Sequence, residues 1–61
     1  MEWIGVKNGL PKEFKSVLIF NGVSIYIGHL EINSDGNIFY IDGDDYYIKV
    51  THWMPLPEPP K

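Results

Sequence analysis

An Asn-Gly or Asp-Gly pair interrupts this chain four times, at Asn8-Gly9, Asn21-Gly22, Asp35-Gly36 and Asp42-Gly43. Such pairs supply the left-handed backbone of tight turns. No segment between them carries a helical apolar period over the 10–12 residues that a helix requires. They read as strands instead. Residues 1–6 (MEWIGV) alternate, with Trp3 on one face and Ile4 and Val6 on the other. Pro11 biases Leu10 towards extended backbone. Residues 16–20 (SVLIF) are β-branched and aromatic, and Asn21-Gly22 makes them one arm of a hairpin. The other arm, residues 23–32, is apolar on both faces, which predicts a strand buried twice or bent, with a bulge at Gly28. Residues 37–41 (NIFYI) and 46–53 (YYIKVTHW) supply two more strands. In the last, Tyr46, Ile48, Val50 and His52 share one face, and Tyr47, Lys49, Thr51 and Trp53 share the other. From residue 54 onward four prolines lack the N–H that a ladder needs, so an extended tail is expected.

The fold class that follows is all-β: a small antiparallel meander of four to five strands. It takes the form of an SH3-like, partly open barrel, or of an open sheet whose exposed face pairs with another copy. At most, residues 11–14 make one helical turn. A single β domain spans residues 1–54, and a Pro-rich tail spans residues 55–61.

Size sharpens this. A 61-residue chain buries only about 60% of the surface its unfolded form exposes, so hydrophobic burial and conformational entropy nearly cancel. Cysteine is absent, which excludes disulfides and thiolate metal sites. The expected remedies are self-association into a homo-oligomer, or a core rich in the aromatics that form 15% of the chain. Net charge is −3 and arginine is absent, which argues against a nucleic acid polymer as partner. No apolar run approaches the roughly 18–20 residues that span a bilayer. Met1-Glu2-Trp3 lacks the basic and apolar regions of a signal peptide, so the cytoplasm is the expected compartment.

The candidate chemistry is sparse. Asp42, Asp44 and Asp45 resemble a hard-cation cluster but lack the spacing of an EF-hand loop, and they suit an ordinary turn. His29 and His52 fall on different strands. Ser16, Ser24 and Ser34 have no nucleophile-elbow context, and a pairing of His52 with Glu2 or Asp45 is the weak acid/base alternative. No catalytic residue, metal or cofactor is therefore expected. Trp3 and Trp53 are expected to form one cluster, with Leu10 and Pro55 packed on it. The face carrying Tyr47, Lys49, Thr51 and Trp53 offers stacking rings, one cation and a hydroxyl, which suits a small nucleotide-like ligand. An ordinary solvated surface is the competing reading.

The two ends of the chain carry a resemblance. Trp3-Ile4-x-Val6, Leu10-Pro11 and Val17-Leu18-Ile19 resemble the opening of the domain-of-unknown-function 551 family. Val50-Thr51-His52-Trp53-Met54-Pro55-Leu56-Pro57-Glu58-Pro59-Pro60 is similar to that family's ending. Gly5 and Asn8-Gly9 depart from its usual residues, and the central hairpin shows no match. The resemblance implies a bacteriophage or prophage protein with no established catalytic residue. The expected function is a small non-enzymatic binding protein acting against a host defence system in the host cytoplasm. It would do so by occupying a host protein or by sequestering a small nucleotide-like signal. The alternative is an accessory or structural module of a phage assembly.

Overall fold

The computed structural model describes residues 2–44 and 46–57, and among these there is no helix. Six strands form one antiparallel sheet: β1 (Ile4–Gly5), β2 (Val17–Phe20), β3 (Ile25–Asn33), β4 (Gly36–Ile41), β5 (Tyr47–Ile48) and β6 (His52–Pro55). Their order is β1-β6-β2-β3-β4-β5. The all-β class holds, with three corrections. The strands number six and not four to five, because residues 46–53 are divided between β5 and β6. Only β2 to β5 run as a meander, because β6 returns to lie between β1 and β2. The sheet is also open, with β1 and β5 as its edges, and is not closed into a barrel.

It is nevertheless curled. Four chain steps from Ile48 to His52 reach at most about 14 Å. The four strand spacings from β5 to β6 would span about 19 Å in a flat sheet. The short link over residues 49–51 therefore requires the sheet to bend round. Val50 in that link is buried. The Thr51 N–H donates to the Phe20 carbonyl at 2.9 Å, and the Val6 N–H donates to the Thr51 carbonyl at 3.1 Å.

The turns follow the Asx-Gly pairs. Asn21 Oδ1 accepts the N–H groups of Val23 and Ser24 at 2.9 and 2.7 Å, and Gly22 adopts a φ of 99°. Val23 is thus a loop residue, 87% exposed, and the strand begins at Ile25. Gly36 takes a φ of 115° while Asn33 Oδ1 accepts the Asp35 N–H at 2.9 Å.

Gly28 does not form the expected bulge. Both registers pass through it without a skipped residue, Val17↔Gly28 towards β2 and Gly28↔Ile41 towards β4. A Cβ there would collide with the Tyr40 carbonyl oxygen and lie 2.6 Å from Ile19 Cδ1. Glycine is needed because strand β3 passes from one partner to the other at this point of close approach.

The inner face buries Val17, Ile19, Leu30, Phe39 and Val50, with Val6, Tyr26, Ile48 and Trp53 packed against them. This core is mainly aliphatic, not the aromatic core expected. Alternation sends Phe20, Ile25, Ile27, His29, Tyr40, Tyr47 and His52 to the outer face. Pro55 corrects the tail boundary, since it pairs with Val17 as the last residue of β6. Strand β1 covers only His52 and Trp53, so the missing N–H of Pro55 falls on a free side of the strand. The remaining tail expectation, for residues 58–61, lies outside the described residues.

Candidate functional site

The outer face and the link meet at His52. On one side, Trp3, Phe20, Ile25 and His52 line an open, mainly apolar pocket of about 340 Å³. The Trp3 and Phe20 rings are 5.9 Å apart and tilted by 45°. His52 lies 6.4 Å from the Phe20 ring, because the two residues are cross-strand partners. On the other side, Gly5, Val6, Lys7, Asn8, Lys49, Val50, Thr51 and His52 line a second pocket of about 470 Å³. His52 Nδ1 is 2.9 Å from Thr51 Oγ1, which also donates to the Phe20 carbonyl at 3.3 Å. A ring-lined pocket thus adjoins one carrying two lysines, an amide and a hydroxyl, and one imidazole belongs to both.

Of the four residues predicted to share a ligand face, the structure brings two together. Lys49 and Thr51 line the second pocket. Tyr47 sits on edge strand β5, where its ring meets Tyr40 edge-on at 6.3 Å. Trp53 packs against the inner core, and its Nε1–H donates to the Gly9 carbonyl at 3.0 Å. The cause is the break at residues 49–51. Val50 and Trp53 both turn inward although they lie three positions apart, so alternation slips by one. Ile48 and Val50 take the core positions expected of them, while His52 moves outward and Trp53 inward. The same geometry separates the indoles: Ile4 pairs with Trp53 on the inner face, whereas Trp3, one residue earlier, reaches Phe20 on the outer. No single Trp cluster forms.

A second constellation lies further along the outer face. His29 Nδ1 is 2.7 Å from Asp42 Oδ1 and Nε2 is 2.7 Å from Glu31 Oε2, so each ring nitrogen meets a carboxylate. The Ser16 hydroxyl donates to Asp42 Oδ2 at 2.5 Å. Phe14 and Tyr40 bring rings against the imidazole at 6.3 and 5.9 Å, inclined by 30° and 20°. Phe14 holds a φ of 65°, a left-handed backbone that costs a bulky residue about 1 kcal/mol. Hydrogen bonds to Asp42 and then to Glu31 raise the His29 value above its ordinary 6.5. Hydrogen bonds from Ser16 and then from His29 hold the Asp42 carboxyl below 3.8. His29 therefore stabilises the fold fully below pH 6.5, and loses that contribution as pH rises through its folded value. Asp42 stabilises fully above pH 3.8, and loses its contribution as pH falls through its lowered value. The cluster is strongest between those limits.

This arrangement is not a nucleophilic triad, because the serine donates to the carboxylate and not to the imidazole. Asp42 is occupied by His29 and Ser16, and among the described residues no three His, Asp or Glu side chains are placed so that they could hold a metal ion. Asp45, and with it the pairing of His52 with Asp45, lies outside the described residues. Sequence reading missed Lys7, Asn8 and the His29 cluster. Only the period-two spacing of His29 and Glu31 hinted at the last.

Fold and sites together define a small all-β open-sheet domain. The chain belongs to the family described as Protein of unknown function (DUF551), which it matches over residues 2–61. No curated protein and no solved structure matches it. Among the described residues no helix is long and apolar enough to cross a membrane.

Proposed function

We propose that this chain is a non-enzymatic binding protein that captures a small, anionic, ring-bearing ligand of nucleotide-like chemistry at the His52 junction. The observation that carries the reading is the adjacency of the two pockets. Trp3 and Phe20 offer flat faces, and Lys7 and Lys49 gather two of the five lysines of a chain whose net charge is −3. Stacking a base on an aromatic side chain contributes about 1–3 kcal/mol, and a charge-assisted contact to phosphate adds about 1.5–3 kcal/mol. Each pocket falls within the volume range common for small ligands.

Binding is favoured over catalysis because both His29 nitrogens already face carboxylates and the Ser16 hydroxyl is given to Asp42. Within the phage setting that the family resemblance implies, this site favours sequestration of a host signalling nucleotide over coverage of a host protein. An accessory module docking by strand addition has less support, since edge strands β1 and β5 are two residues each. Self-association belongs to the same proposal, with Ile27 as the exposed apolar group beside the pocket for the seam.

Isothermal titration against mono-, di- and cyclic nucleotides tests the reading. At least one should bind, and Lys49→Ala or Lys7→Ala should weaken it about tenfold, the effect of losing about 1.4 kcal/mol. The melting temperature should stay within a few degrees. Sedimentation equilibrium of the same samples should give at least twice the chain mass of 7.0 kDa. Absence of heat with every nucleotide would retire the proposal.

A further inference from the structure

We propose that His29 is a proton-operated charge switch on the outer face: as imidazolium it ties Glu31 and Asp42 together, and as neutral imidazole it releases Glu31. The geometry carries this. Both ring nitrogens lie 2.7 Å from carboxylate oxygens, and only the protonated ring has two N–H groups to donate. A neutral ring has one donor and one lone pair, so one carboxylate would face a lone pair at hydrogen-bond distance.

Asp42 is the partner that stays. Its second oxygen accepts from Ser16 at 2.5 Å, and its backbone N–H donates to the Ile27 carbonyl at 2.9 Å. Glu31 is therefore let go, and the neutral form is the Nδ1–H tautomer. The three groups then carry a formal charge of −2 in place of −1, beside the exposed Phe14 and Tyr47 rings. A cationic partner would find this patch more attractive above the transition than below it.

Among the described residues the groups around the ring are few. Glu31 lies on β3, the Tyr40 phenol is on β4, and Asp42 and Asp44 are in the following turn. Lys12, Glu13 and Lys15 are on the loop that carries Phe14. Glu13 Oε2 is engaged by the Ile32 N–H at 3.0 Å. The raised value of His29 puts the transition above 6.5, towards the physiological range.

Nitrogen-15 spectra of the His29 ring, recorded as a function of pH on the intact chain, test the switch. The expected result is a midpoint above 6.5 and an Nδ1–H neutral form. Asp42→Asn should lower the midpoint and turn the neutral form to Nε2–H, since Glu31 is then the remaining carboxylate. Glu31→Gln should lower the midpoint and keep Nδ1–H, which supplies the test if Asp42→Asn fails to fold. A midpoint at or below 6.5, or an Nε2–H tautomer in the unaltered chain, would overturn the proposal.

Discussion

Replacing Gly28 by alanine should lower the melting temperature by about 15 °C, the equivalent of roughly 3 kcal/mol in a domain this small. The new methyl group would run into the Tyr40 backbone oxygen on one side and Ile19 Cδ1 on the other. Neither can retreat cheaply. Tyr40 is held in the β3–β4 ladder, and Ile19 is fully buried. Total stability for a chain of this length is about 3–9 kcal/mol, so the substitution would remove at least about a third of it. Gly9→Ala is the matched control, because its Cβ would meet only Ile4 Cγ2, at an ordinary 3.9 Å. Thermal melts followed by circular dichroism separate the two. A Gly28→Ala protein melting within a few degrees of the unaltered chain would show that β3 and β4 can separate at this point.

Trp53→Ala should cost about 3 kcal/mol, the lower end of the range for truncating a large aromatic, since the indole is half-buried. It packs against the inner core and closes the Gly9 loop through its Nε1–H. Trp53→Phe keeps most of the apolar contact and loses that bond, so it should cost nearer 1 kcal/mol. Urea denaturation of both variants checks the ratio. The phenylalanine variant carries a second test. It should bind ligand normally, because Trp53 lies on the inner face and the pockets open at His52. A folded Trp53→Phe protein that has lost binding would return the indole to the site.

The strands around residues 17–20, 25–32 and 37–41 were legible because local chemistry decides them. Asx-Gly pairs mark their ends and β-branched and aromatic runs mark their bodies, whereas their faces came only from the pairing, since residues 23–32 are apolar on both sides. The end of the chain was not legible, for a physical reason. Residues 46–53 alternate well enough to be one strand, but curling the sheet requires the chain to leave β4 and return beside β2. Burial of Val50 serves that crossing. A one-residue slip in alternation then exchanges the environments of His52 and Trp53. Lys49 and Thr51 were found because their side chains stay in solvent on either reading. Lys7 and Asn8 reach the site through the β1–β6 pairing, a contact between opposite ends of the chain that no local pattern encodes. The His29 cluster needs Asp42 brought in by a turn, which spacing alone does not give.

The most direct test of the binding account is a two-dimensional NMR titration of the labelled chain with the nucleotide that gives the strongest heat. The account expects the largest shifts at the Trp3 indole, Lys7, Phe20, Lys49 and His52, with Tyr47 and Phe14 little changed. Shifts centred instead on Phe14, Tyr40 and Tyr47, or spread evenly over the chain without saturating, would contradict a site at the His52 junction.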